Sequence, residues 1–536
     1  MSPSLWERAG VMERGTVKTR DTSMLASRVC SAMVLFAGVA LAASVSAAAV
    51  DPPLIEAVKR QDAEAVKRLL GDGVEVDGRQ PDGATALHWA VYREDLETVD
   101  LLLRAGASVD AVNRLGATPL WLAAGNGDAA AIARLLDAGA NPNVALVEGE
   151  TPVMTAARSG TAEGVRLLVE AGADVHARET SREQTALMWA VTQGQHQAVQ
   201  VLLDAGADVE ARSKVRPRLV YDVSSNAAVF DQGVIENLGG FTPLLFAARH
   251  GDVESARLLL AAGADVDNPA ANGTSPLVVA THSGHTAFAV LLLAEGAEPD
   301  AIGAGYTALH AAVLRGDLTT VEALLARGAD PNIRLEKGTP LRRTSEDWAL
   351  RASYVSATPF WLAASFREPA IMRALAAAGA DPTLTTTEVW RGVVERAGGV
   401  GPARVVGGFV TPLMAALRGS SDRGRFFLFN PDRVVEEQHA LEAVMVAVEL
   451  GADLEAADYS GTAVLHDAAS RNLPSVVRFL ADRGAVLDVK NGRGRTPLQL
   501  AVAASRRPRI VNVGAERSGE TAADVLRELG AKESSR

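Results

Sequence analysis

The feature that most constrains this chain is a self-similar period of about 33 residues beyond residue 50. It is marked by Thr85, Thr118, Thr151 and Thr185, and the same signature returns at Thr242, Ser275, Thr307, Thr358, Thr411 and Thr496. Most copies read T-[PA]-L-x-x-A: TALHWA at 85, TPLWLA at 118, TALMWA at 185, TPLLFA at 242, TALHAA at 307. Half a repeat later comes a leucine run closed by Gly-Ala-Asp or a near variant, as in LLLRAGASVD, LLVEAGADV and LLLAAGADVD. A fixed period of this length calls for stacked units, not separate domains with independent cores.

The pieces predict a pair of short helices. Thr at the N-cap can accept from a free backbone N–H, and Pro beside it suits the first helical position, where no N–H is needed. Paired alanines such as Ala123-Ala124 and Ala247-Ala248 leave no bulk on the inner face, so helices of adjacent repeats can approach closely. Val99, Leu101, Leu102 and Leu103 form an apolar stripe that a lone repeat cannot hide from water. Gly106, Gly139, Gly172, Gly206, Gly263, Gly296, Gly328, Gly379, Gly451 and Gly484 each fall where a helix needs a left-handed cap.

On these motifs the chain resembles the ankyrin-repeat family over nearly all of residues 51–531. The resemblance implies an all-α solenoid of stacked helix–turn–helix units with short hairpin-like fingers and a concave side that binds proteins. The expected organisation is a single stack of about twelve units with atypical ends. Insertions are expected at 212–238, 334–356 and 383–408 in finger positions, and at 419–436 between the two helices of one repeat. Each either carries binding residues or folds back onto the stack. Their aromatic and basic residues include Arg216, Arg218, Tyr221, Trp348, Tyr354, Trp390, Arg391, Arg404 and the run Phe426-Phe427-Leu428-Phe429.

The first fifty residues have a different character. Arg28 precedes an apolar run from Val29 to Ala43, followed by small residues through Ala49, the pattern of a cleaved secretory leader. Cleavage is expected near Ala47, with Met24 as an alternative start, which places the mature chain in the periplasm or outside the cell. The alternative is an uncleaved anchor, although the run is shorter than the roughly 20 residues a spanning helix needs. Cys30, the one cysteine, lies in this leader, so the exported form would have neither disulfides nor a cysteine nucleophile.

The net charge of -12, with both signs dispersed and no long basic block, argues against a nucleic-acid partner. HExxH, Walker A, EF-hand and GxSxG sequences are absent, and Gly398-Gly-Val-Gly401 runs straight into Pro402 instead of opening a helix. His88, His310 and His466 occupy the TALH slot, and His196 and His285 open second helices, positions to which the resemblance assigns structural hydrogen bonding. His282 and His285 are separated by Gly284, where the helix should end, which disfavours a shared metal. The chain therefore reads as neither an enzyme nor a cofactor protein.

One row stands out once the repeats are aligned. Arg93, Arg158, Arg249, Arg315, Arg418 and Arg471 lie seven or eight residues after the signature position, with Tyr92, His250, His282 and Phe366 in equivalent places. Cations there are favoured by the helix dipole alone, or they form a row for an anionic partner. The function expected is that of a monomeric, exported scaffold that grips a protein through these residues and through Tyr221, Trp348, Trp390 and Phe427. The alternatives are a binder of anionic envelope lipid or glycan, and an enzyme with its site in an insertion.

Overall fold

The computed structural model describes residues 51–221, 233–339, 350, 354–387, 390–392, 395–396, 399–400, 404–406, 408–419, 433–505 and 520–532. The leader, Cys30, Trp348 and Phe427 lie outside these residues. So do the side chains of Tyr221 and Trp390, whose backbones are in strands. Among the described residues there are 24 helices and 6 short strands. The helices come in pairs at the repeat period, and the chain divides into two compact units, one running to Thr180 and one beginning at Ser181.

The first unit holds the pairs Pro53–Lys59 with Ala63–Gly71, Ala86–Tyr92 with Leu96–Arg104, Pro119–Asn126 with Ala129–Asp137, and Pro152–Ser159 with Ala162–Glu170. In the second the first helices are Ala186–Thr192, Pro243–His250, Pro276–Ser283, Ala308–Arg315, Pro359–Ser365, Pro412–Arg418, Val464–Arg471 and Pro497–Ser505. In each unit the pairs stack in sequence order, every first helix lying against the first helix of the next repeat.

Local chemistry fixes the helix ends. Thr118, Thr242 and Thr358 accept from the backbone N–H three residues on. Asp95, Asp128, Asp252 and Asp317 do the same for second helices. The apolar stripes then bury completely. Leu102, Leu135 and Leu168 in the first unit, and Leu259, Leu292 and Leu324 in the second, have 0% exposure. Each such side chain stabilises its stack by about 1.5–3 kcal/mol.

A second lock joins neighbouring repeats through their turns. In the first unit Ser108 N–H donates to Asp77 and Asn141 N–H to Asp110, at 2.9 and 3.0 Å. In the second unit Glu298 N–H donates to Asp267, Asp330 N–H to Asp300 and Asp381 N–H to Asn332, at 3.0, 3.0 and 2.8 Å. Each bond satisfies a backbone donor in the turn that follows a second helix.

The inserted segments are built differently from one another. Within 212–238, strand Arg216–Tyr221 pairs antiparallel with Gly233–Leu238, and within 383–408, Trp390–Gly392 pairs with Arg404–Val406. Gly399–Val400 pairs with Glu395–Arg396, so these two residues of the glycine-rich stretch lie in a strand. The described ends of 334–356 fold back, with Leu335 and Leu350 fully buried and Thr339 N–H donating to Leu350 O. The segment 419–436 ends inside a helix, Arg433–Glu449, whose 17 residues extend the second helix of its repeat backwards.

Candidate binding surface

The C-terminal ends of the first helices present side chains at one fixed place per repeat, because the helices start at the same signature position, a threonine in most repeats, Ser275 in one and Ala463 in another. In the first unit Tyr92 packs edge-on against Trp89 with ring centroids 5.6 Å apart, and Arg93 is exposed at the helix end. Arg158 is half-buried, with Nη2 3.1 Å from Glu150 Oε1.

In the second unit Arg249, His250, His282 and Arg315 fall on three consecutive repeats. Arg249 and His250 end the helix Pro243–His250 and are exposed. His285 Nε2 lies 3.2 Å from Arg249 O, which ties that helix end to the next repeat. Partial desolvation, with the charges of Arg249 and His285, holds His250 below the ordinary histidine value. Arg315 Nη2 donates to Ser283 O at 3.4 Å, and its guanidinium covers Gly284 where a Cβ would overlap it. The His282 ring lies 6.3 Å from that of Tyr306, whose hydroxyl is pushed up to about 12 by burial and by the Glu236 charge.

Two members of the expected row are absorbed into the fold. Phe366 is 5% exposed and packs at 5.9 Å against Tyr354, supporting the stack instead of offering a ring to a partner. Arg418 has Nε 2.6 Å from Asp467 and Nη2 2.7 Å from Asp458, so its charge is spent internally. Arg471 sits beside it and donates to Arg418 O at 3.3 Å. Position along a helix predicts where a cation sits, but not which carboxylate a later repeat folds against it.

The histidines of the TALH slot are structural. Thr85 N–H donates to His88 Nδ1 at 3.1 Å, and His88 Nε2 lies 3.0 Å from Ala117 O. His310 and His466 accept from the N–H of Thr307 and Ala463 in the same way. His196 Nε2 is 2.8 Å from Asp252 Oδ1. His282 lies in the helix Pro276–Ser283 and His285 caps the following one, with left-handed Gly284 between them.

The structure adds further candidate contact residues to those expected from the repeat. Trp89, Trp121 and Trp189 are half-buried on first helices, and the strings TALHW and TALMW carry Trp89 and Trp189 at the same place. Phe409 and Tyr459 are 48% and 61% exposed on neighbouring fingers, and Phe409 has a φ of 54°, costly for a bulky residue. The hairpin's Glu236 reaches Lys337, 101 residues away, with one carboxylate oxygen on the ammonium and the other buried without a partner. No local pattern announces that contact.

Comparison with known proteins places these observations in a family. Ankyrin-repeat models of three copies match residues 54–145, 123–213 and 244–335, and one of many copies matches 448–501. Among solved structures, the chain is similar to the ankyrin repeat domain of human ASB11, at 28% identity, covering 46% of this chain and 99% of that one with a TM-score of 0.38. No curated protein matches the chain. With the matched segments spanning more than half of its length and the helix pairs, caps and fingers in place, this chain belongs to the ankyrin-repeat family.

Proposed function

We propose that the chain is an exported scaffold that binds a protein partner through its first-helix ends and its inserted fingers, without catalysing a reaction. The observation that carries this reading is repetition with variation. A rigid stack offers the same position in every repeat, and in this chain that position holds Tyr92, Arg158, Arg249, His282, Arg315, Arg418 and Arg471 in their repeats, while Trp89, Trp121 and Trp189 lie on first helices. Tyr, Trp and Arg are the residue types that most often anchor protein interfaces. The inserted hairpins add reach at the fingers, where loops on a scaffold commonly carry recognition.

Export rests on the amino-terminal leader. Intact-mass measurement of the protein purified from its host should give a chain beginning near residue 48, and a mass retaining residues 1–47 would overturn export. Capture from envelope extract tests the surface. The mature chain should retain a discrete partner that a variant lacking 213–238 and 384–407 loses, and identical partners for both would remove the fingers from the site.

A further inference from the structure

The hairpin inserted at 212–238 has two unlike sides. Glu236, 9% exposed, has one carboxylate oxygen on the Lys337 ammonium and so fastens strand Gly233–Leu238 to a finger 101 residues further on. The other strand, Arg216–Tyr221, is paired with it from Arg216 opposite Leu238 to Tyr221 opposite Gly233, and among the described residues it pairs with no third strand. Residues 215–219 are all exposed, and Pro217 among them is a residue that sheets tolerate at an edge. Side chains alternate between the two faces of a strand. Val215, Pro217 and Leu219 therefore share a face with Ile235, which lies directly opposite Leu219; Leu219 is 61% and Ile235 70% exposed. Arg216 and Arg218 share the other face. Arg216 donates to Ser181 O, a neutral group, so it keeps its charge, and Arg218 stands opposite Glu236, whose carboxylate is already on Lys337.

We propose that the outer edge of strand Arg216–Tyr221 takes up an extended segment of a protein partner as a third strand, one whose side chains alternate between apolar and acidic. The reading rests on the scaffold function above and names the partner's chemistry. A strand edge carries a row of backbone N–H and C=O groups spaced for another chain, and an apolar edge left bare invites aggregation. Two strands alone are marginal, and a third lengthens both the ladder and the apolar face. The apolar side chains of the incoming strand extend the face of Leu219 and Ile235, and its carboxylates lie beside Arg216 and Arg218, a favourable cross-strand arrangement. The same arginines disfavour a second copy of this chain. Two such strands laid antiparallel with their apolar faces joined bring all their arginines to one face, where like charges repel.

The test uses the protein purified from its host and three fluorescein-labelled peptides: four copies of Glu-Val, the same sequence N-methylated at every backbone nitrogen, and four copies of Lys-Val. Anisotropy should show the Glu-Val peptide binding, about tenfold weaker binding once N-methylation removes its backbone donors, and no binding of the Lys-Val peptide. Arg218→Glu should weaken the Glu-Val peptide about threefold or more and bring the Lys-Val peptide into measurable binding. Leu219→Asn should weaken the Glu-Val peptide by a similar factor. Both side chains are exposed, so thermal melts should match the parent. Should either variant lose its fold, the comparison of the three peptides on the parent chain still decides. Equal binding of the N-methylated peptide, or undiminished binding by folded Arg218→Glu, overturns the proposal. So does a dimer of the parent chain in sedimentation that Leu219→Asn dissolves, since the edge then holds a second copy. If both variants still capture the envelope partner that the finger-deleted chain loses, the scaffold reading survives and the strand edge does not. Loss of that partner by Arg218→Glu and by the finger-deleted chain alike supports both.

Discussion

Arg367 donates to both the backbone carbonyl and the carboxylate of Glu436, 69 residues further along the chain, while its remaining N–H groups satisfy Ala416 O and Gly419 O at 3.0 and 2.9 Å. The side chain is nearly enclosed and the residue itself has a φ of 58°, at a left-handed position that most other repeats fill with glycine. One guanidinium thus closes the end of the helix Pro412–Arg418 and fixes the start of the long helix after the interruption. Arg367→Met should destabilise by about 3–5 kcal/mol, since it leaves a carboxylate and several carbonyls unpaired in a buried place. Arg367→Lys should recover little, because an ammonium cannot reproduce the fork. Urea melts of both variants check this, and a loss below about 1 kcal/mol for the Met variant would refute the assigned role.

His310 gives the stack an acid sensitivity. Burial pushes its imidazole down to about 4 from an ordinary 6.5, and Nε2 is enclosed without a partner. The folded state therefore keeps it neutral while the unfolded chain takes up a proton. Stability from this residue is fully present above pH 6.5 and is lost as pH falls toward 4, by about 3 kcal/mol in all. His310→Gln should flatten that dependence. Its amide oxygen can still accept the Thr307 N–H, as Gln499 accepts from Thr496 at 3.1 Å in the last repeat. Melts at pH 7 and 4.5 compare the two, and equal acid losses would exclude His310 as the source.

Asp300 is a place where the chain is not optimal. Burial, together with the charges of Asp330 and Glu298, raises its carboxyl above the usual value although Asp330 N–H donates to it. Carrying this charge therefore costs the folded state some stability relative to the unfolded chain. Asn332, one repeat on, accepts the corresponding N–H from Asp381 without any charge. Asp300→Asn should stabilise by about 0.5 kcal/mol at pH 7, and the gain should vanish near pH 3 as the parent carboxylate protonates. Destabilisation at pH 7 would show that the charge is needed.

Gly172 and Leu102 test the repeat itself. Gly172 has a φ of 87° with open space around its missing side chain, so only backbone strain opposes substitution there. Gly172→Val should cost about 1–3 kcal/mol. Leu102 is completely buried, and Leu102→Ala should cost about 2–5 kcal/mol through the cavity left behind. Thermal melts indistinguishable from the parent for both would mean that neither position does what its place in the repeat requires.

The fold was legible in the sequence because every signal behind it is local. A capping threonine, a proline beside it, an alanine pair, a leucine stripe and a terminal glycine all act within a few residues of one another, and the period then repeats the solution. The candidate surface was legible only in part. Arg249, His250, His282 and Arg315 were placed by counting from the cap, and the same count placed Phe366 and Arg418 on it as well. Those two are removed by Tyr354, Asp458 and Asp467, residues 12 to 49 positions away that carry no mark of the contact.

What the sequence by itself determined is where each helix starts, stops and turns its apolar side, since hydrogen-bonding and helix geometry act between near neighbours. Only the tertiary structure decided which polar groups face one another across repeats, as Arg367 does Glu436, Arg418 does Asp467 and Glu236 does Lys337. The reason is physical: a charge's environment is set by whatever folds against it, and in a stack that neighbour comes from a distant part of the chain.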